Sequence, residues 1–224
     1  MAIPSKQPKT TLNKTQPSPK TAGSGSPRSQ ASLQNPQKNK GNRNKEAVLY
    51  FDYDSPVGIW RVALTPGGHA VCGLKLKIGS VLNPLPKQFS SDPLNSISPF
   101  DYPVSALLHQ KLTAYFQGEK TDFLDIPIYL KSLTSFSKIV YEKLQSIGYG
   151  EATTYKSLAE QANNPLASRA VGRVLARNPI GIVIPCHRVL SQSGQLNGYF
   201  GHVAESLSVK AALLANEGII QRNA

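Results

Sequence analysis

The residues in this chain best equipped to do chemistry are Cys186 and His187, adjacent in the run Ile184-Pro185-Cys186-His187-Arg188-Val189. A thiol attacks only as its thiolate, and a neighbouring imidazole is a side chain suited to taking its proton near neutral pH. Pro185 stiffens the segment, and the apolar residues before it read as buried. These types in this order point to an activated sulfur nucleophile. The competing interpretation is a small buried hydrophobe beside a core histidine whose hydrogen bonds are satisfied. A Cys-His hydrolase fits less well, because that chemistry gathers its pair from distant positions around an oxyanion hole.

The elements that must position this pair follow from hydrophobic spacing. Ala47–Asp52, Ile59–Leu64 and Ala70–Leu76 are short β-prone runs, and Thr65-Pro66-Gly67-Gly68 supplies a hairpin turn between the last two. The Pro- and Ser-rich stretch from Ser80 to Pro99 reads as a loop. Pro103 opens a helix with Leu107, Leu108, Leu112, Tyr115 and Phe116 at helical spacing, closed by Gly118. From Phe136 the pattern is helical: Phe136, Ile139, Val140, Leu144 and Ile147 share one face of a helix that ends at Gly148 or Gly150. Thr153 or Thr154 caps a second helix that stops at Asn163-Asn164-Pro165. A third, from about Ala167 to Arg177, buries Ala170, Val171, Val174 and Leu175 and presents Arg169, Arg173 and Arg177. The last two make a helix-turn-helix candidate, or an ordinary helical hairpin with solvated arginines. The fold class is α+β: a small N-terminal antiparallel sheet with a helix, acting as a scaffold, followed by a mostly helical C-terminal part. The corresponding divisions are a tail over 1–45, an α+β domain over 46–132 and a C-terminal domain over 133–224.

Charge adds less than it first suggests. The 224-residue chain carries a formal +12, which suits a polyanion. Nine of those positive charges, from Lys6 to Lys45, precede the first acidic residue, Glu46, and only three remain for the body. The tail is rich in Ser, Pro, Asn, Gln and Lys with few large apolar residues, so it is expected to be disordered, either as an electrostatic arm for DNA or as a solvated extension. It lacks the apolar core of a signal peptide, and no stretch elsewhere is long enough to span a membrane. Cys72 and Cys186 are too few for a disulfide framework and lie apart from any zinc-finger spacing of His69, His109, His187 and His202. The expectation is therefore reduced thiols in the cytoplasm, or the nucleus of a eukaryote, with no metal and no cofactor.

The motifs flanking Cys186 carry a resemblance. Arg169-Ala170-Val171-Gly172-Arg173, Arg177-Asn178-Pro179-Ile180, the Pro-Cys-His-Arg segment, Asn197-Gly198-Tyr199 and Leu213-Leu214-Ala215-Asn216-Glu217-Gly218 follow one another in order. From Phe136 to Gly218 this resembles the O6-alkylguanine-DNA alkyltransferase family, with a weaker echo from Ser55 to Leu74. The resemblance implies a ribonuclease H-like N-terminal domain and a winged-helix-like DNA-binding unit that enters the minor groove with little sequence reading. It implies a monomer acting on double-stranded DNA that contains alkylated guanine. The alkyl group, on O6-methylguanine and also O4-methylthymine, moves to Cys186, and each molecule acts once. By the same resemblance His187 deprotonates Cys186 through a water, Glu217 holds His187, and Asn178 braces the segment. Arg169 replaces the flipped base, Tyr155 crowds its phosphate, and Arg173 joins the DNA-binding face. Tyr199 donates to the base and the backbone near Phe200 serves its O6 side. Arg188 is read as structural, tied to carbonyls or a carboxylate. The alternative is a non-enzymatic binder of alkylated DNA, against which the retained Cys186 speaks.

The chain departs from the family pattern at Phe200 and His202, at about three extra residues before Lys210, and at Gly181, where many relatives have proline. Phe200 and His202 add bulk at the pocket rim. The expected outcome is faster transfer from methyl than from benzyl adducts in short duplexes, and equal rates on the two would refute the narrowing.

Overall fold

The computed structural model describes residues 47–78, 81–82, 96–196, 198–199 and 204–221. The basic tail, Asn197, Phe200 and His202 lie outside the described residues. Four strands, β1 (Leu49–Ser55), β2 (Gly58–Leu64), β3 (Val71–Ile78) and β4 (Val81–Leu82), form an antiparallel sheet in sequential order. In β1, Phe51 and Tyr53 face the core while Asp52 and Asp54 face solvent, the alternation of a half-buried strand. The β1–β2 turn is locked by Ser55, whose Oγ accepts from Val57 N and from Trp60 Nε1, both at 3.2 Å. The expected Thr65–Gly68 turn joins β2 to β3. A side chain at Gly68 would run into the Tyr102 ring, which holds that position to glycine.

The stretch read as a loop from Ser80 to Pro99 contains β4, and Ser96 bridges Tyr50, with Ile97 N donating to Tyr50 O at 2.9 Å. Composition misses this because backbone pairing with β3 and β1 answers the open groups of those strands whatever the side chains are.

Helix α1 (Pro103–Phe116) starts at Pro103 and buries Leu108, Leu112 and Tyr115. It ends as expected: Gly118 takes φ +85°, Gly118 N donates to Tyr115 O, and Glu119 N donates to Ala114 O, each at 3.0 Å. Helix α2 (Ser135–Gln145) is capped by Thr134 Oγ1, which accepts from Ser137 N at 3.2 Å. It stops at Gln145, before the glycines that the spacing favours. The Ile147 carbonyl is taken by Arg188 at 2.6 Å and Gly148 N donates to Glu151 at 3.0 Å, so neither continues the helix.

Strand β5 (Thr153–Thr154) leads into α3 (Tyr155–Gln161), with Thr154 Oγ1 accepting from Ser157 N at 3.1 Å. Helix α4 (Ser168–Ala176) buries Val171 and Leu175, while Ala170 and Val174 are only half-buried because α4 is covered on one side alone. A parallel pair that the sequence does not announce joins β5 to β6 (Val189–Leu190), so the chain after Cys186 is tied to the start of α3.

Helix α5 (Ala204–Asn216) closes the molecule on Glu217. Gly218 takes φ +72°, Gly218 N donates to Ala215 O at 3.1 Å and Ile219 N to Leu214 O at 2.9 Å. Glu217 is thereby fixed at the helix end. Open space surrounds Gly218, so Gly218→Ala pays only for the left-handed backbone. The expected loss is about 1 kcal/mol, read as a lowered denaturant midpoint with an unchanged slope.

Candidate active site

Strand β3 prepares the site. Along one edge, Leu74 N donates to Pro179 O and Gly181 N donates to Leu74 O, both at 2.9 Å, a parallel bridge that lays the Asn178–Gly181 segment against the sheet. Two tight turns then lead to the thiol. Val183 N donates to Gly181 O at 2.7 Å around Ile182, which adopts φ +65°, a conformation strained for a β-branched side chain. Cys186 N donates to Ile184 O at 2.8 Å around Pro185. The pair sits in a 3-10 turn, Cys186–Arg188, rather than in extended chain, because these bonds have already curled the backbone.

Asn178 is fully buried and holds this path from within. Its Nδ2 donates to Ile184 O at 2.7 Å and to Cys186 Sγ at 3.2 Å, and its Oδ1 accepts from Ile180 N at 3.1 Å. The amide thus closes the loop and presents an N–H to sulfur.

Glu217 collects the other side. Its carboxylate accepts from His187 Nε2 at 2.6 Å, from Tyr115 Oη at 2.8 Å, and from Arg188 through Nε at 2.8 Å and Nη2 at 3.0 Å. Gly150 N donates at 3.4 Å. Burial raises a carboxylic acid, but the hydrogen bonds of His187 and Arg188 and the Arg188 charge win and hold Glu217 down to about 2. Burial also lowers His187, against the opposing pull of Glu217, so the imidazole is neutral at pH 7. An ionised Glu217 fixes the proton on Nε2, which leaves the Nδ1 lone pair free to accept. Among the described residues Nδ1 is buried with no hydrogen-bond partner.

Burial raises the Cys186 thiol above its ordinary value, and the Asn178 hydrogen bond and then the charges of Lys75 and Lys210 offset this only in part, so the resting sulfur at neutral pH is a thiol. Both lysines are buried: Lys75 Nζ donates to Asn178 O at 2.5 Å and Lys210 Nζ to Val189 O at 2.7 Å. Burial brings each to about 8 against the opposing effect of Cys186. Cys72 has no such company and burial pushes it up to about 12, so it stays a thiol. Tyr141, Tyr155 and Tyr199 also lie within electrostatic reach of Cys186, and each phenol is raised first by burial and then by that thiol. All three are proton donors at neutral pH.

Of the residues singled out in the sequence, Cys186, His187, Asn178 and Glu217 come together, with Tyr155 and Tyr199 beside them. Arg188 has the structural role read for it. Arg169 and Arg173 are exposed on α4, apart from this cluster. Phe200 lies outside the described residues. Sequence reasoning missed Lys75, Lys210 and the Tyr115 hydroxyl; the visible signal was a lysine inside each of two apolar runs, Val71–Leu76 and Val209–Leu214.

The site is a buried thiol beside two buried lysines and a histidine–carboxylate pair, and among the described residues α4 exposes Arg169 and Arg173. The comparisons agree. The family described as 6-O-methylguanine DNA methyltransferase, DNA binding domain, matches residues 135–219. The methylated-DNA–protein-cysteine methyltransferase of Haemophilus influenzae is 35% identical over 173 residues, covering 77% of this chain and 88% of its own. That of Mycobacterium tuberculosis is 37% identical over 171 residues, covering 76% and 92%. Crystal structures of the M. tuberculosis O6-methylguanine methyltransferase align with a TM-score of 0.60 at 32% identity, over 76% of this chain and 92% of that one. Its complex with DNA aligns at 0.59 and 33%, over 77% and 94%. The chain belongs to the methylated-DNA–protein-cysteine methyltransferase family.

The Glu217 network gives stability a signed pH dependence. A carboxyl held at about 2 instead of 4.5 stabilises the fold above pH 4.5, and that contribution fades as pH falls toward 2. Denaturation of the wild type and Glu217→Gln between pH 2 and 7 should therefore show a gap of a few kcal/mol at neutral pH that narrows across this window. A gap independent of pH would remove the charged role of Glu217.

Proposed function

We propose that this chain repairs DNA by direct reversal, moving the methyl group of O6-methylguanine to Cys186 in a single turnover. The observations that carry the reading are the Glu217–His187 hydrogen bond and, next to it in the chain, a thiol held by Asn178. The thiolate lone pair attacks the methyl carbon, a C–S bond forms, and the C–O6 bond breaks with its electrons returning to the base. The leaving guanine anion takes a proton at N1, balanced by the one proton that the thiol gives up and His187 returns through water. The thiol's own proton passes to His187 Nδ1 through a bridging water, and the resulting imidazolium is stabilised by Glu217. The product is a thioether, which water does not cleave, so the protein is consumed.

Tyr199 serves as donor to the flipped base, since burial keeps its hydroxyl protonated. Helices α3 and α4 act as the helix-turn-helix: Arg169 fills the gap left by the base, Arg173 meets the backbone, and Tyr155, packed against Gly172 of α4, crowds the target phosphate. Double-stranded DNA with alkylated guanine is the partner and the protein acts as a monomer in the cytoplasm, or in the nucleus of a eukaryote. The ribonuclease H-like and winged-helix-like assignments, and the division at 45 and 132, belong to the same reading. The described residues lie within one unit, 43–224, and one hydrophobic cluster runs from Phe51 to Leu213. Among the described residues no helix is long and apolar enough to cross a membrane.

The test is intact and peptide mass after mixing with an O6-methylguanine duplex. One methyl on the Cys186 peptide, saturating at about one per protein, is the expected result. Cys186→Ala should take up none while still binding duplex, and Arg169→Ala should weaken binding and slow transfer at least about tenfold with the thiol intact. Lesion-selective binding by the wild type without methyl uptake would assign the chain to non-enzymatic lesion binders instead.

A further inference from the structure

The reaction needs sulfur to carry negative charge in a place from which water is largely excluded, and Cys186 is only 5% exposed. The buried anion of this region, Glu217, is already answered by Tyr115, His187 and Arg188. Lys75 is a different cation. It comes from the middle of β3, in the sheet otherwise read as a scaffold, and is 5% exposed. An aliphatic residue would fit that strand at far lower desolvation cost. Its ammonium instead reaches the Asn178 carbonyl at 2.5 Å, across 103 residues of sequence. The other end of Asn178 donates to Cys186 Sγ. The register that places it there is set by the neighbouring Leu74 bridge to Pro179 and Gly181.

We propose that Lys75 is a positioning residue of the methyl-transfer site: it orients the Asn178 amide toward Cys186 and supplies, from the N-terminal sheet, the positive charge that the thiolate faces. This rests on the alkyl-acceptor role proposed for Cys186. Other groups bear on that sulfur from each packed element: Lys210 on α5, Tyr141 on α2, Tyr155 on α3, Tyr199 in the following loop, and the neutral His187 backed by Glu217. Lys210 is anchored on Val189 O, on the far side of the turn. Lys75 instead reaches sulfur through a single bridging residue, Asn178. Burial lowers Lys75 to about 8 and Cys186 opposes it, so the two groups are electrostatically coupled.

Single-turnover transfer from an O6-methylguanine duplex, followed from pH 5.5 to 9.5 in the full chain, tests this. Without the ammonium the thiol ionises at higher pH, so Lys75→Met should move the rising limb of the rate upward by about one unit and lose about tenfold at pH 7, recovering at high pH. A uniform loss at every pH, or an unmoved limb, would reduce Lys75 to packing and overturn the proposal. A second measurement needs no variant and no DNA. Cys186 is capped with methyl methanethiosulfonate, verified by peptide mass, and the Lys75 side chain is titrated by carbon NMR before and after. Loss of the thiolate should lower the Lys75 midpoint, by reciprocity of coupled sites, and an identical midpoint would refute the pairing. The wild-type reaction separates the two claims. No methyl on wild-type Cys186 sinks the function, whereas wild-type transfer with an unmoved Lys75→Met limb sinks only the role of Lys75.

Discussion

A carboxylate placed inside a protein must be met by donors on all sides or it protonates, and Glu217 is the point where this chain meets that demand. Its partners come from α1, from the turn that follows α2, and from both residues after the thiol. The Arg188 guanidinium adds a fork to the carboxylate and a third bond to the Ile147 carbonyl, so one ion pair ties three stretches of backbone. Gly218 makes this possible by ending α5 where it does.

The second constraint is β3. Its register carries the Asn178–Gly181 segment beside the sheet, and Asn178 converts that placement into the position of sulfur. The backbone between them is forced: Ile182 at φ +65° persists only because Leu74, Asn178 and the turn bonds over-determine it. The thiol is thereby stationed by a sheet far away in sequence and by a carboxylate at the other end of the chain, with little freedom of its own.

Much of this was legible in the residues. Cys186, His187, Asn178 and Glu217 stand in short motifs whose order survives in one sequence, and the hairpin turn at Thr65–Gly68 and the closure of α1 at Gly118 follow from local glycine and proline chemistry. The remainder depends on pairings that local pattern does not encode. Tyr115 reads as one more apolar position on α1, since nothing nearby reveals that its hydroxyl meets a carboxylate 102 residues on. Lys75 reads as a strand residue with its charge in water until the partner on the edge of β3 is known. Strand β4 is hidden by the prolines around it, and the early end of α2 goes with Gly148 N, which turns to the Glu151 carboxylate instead of back into the helix.

Net charge shows the same division between composition and structure. Most of the excess positive charge sits in the tail, yet two lysines of the body are spent in the interior beside Cys186. Burying an ammonium is unfavourable unless an anion shares the site, and a thiolate is such an anion only while it is unreacted. With Cys186 as the alkyl acceptor, methylation removes the proton that sulfur could lose, so the negative charge that Lys75 and Lys210 favour there can form only in the unreacted protein. Single use follows from the stability of the C–S bond, and the coupling of the buried lysines to an ionisable sulfur ends with it.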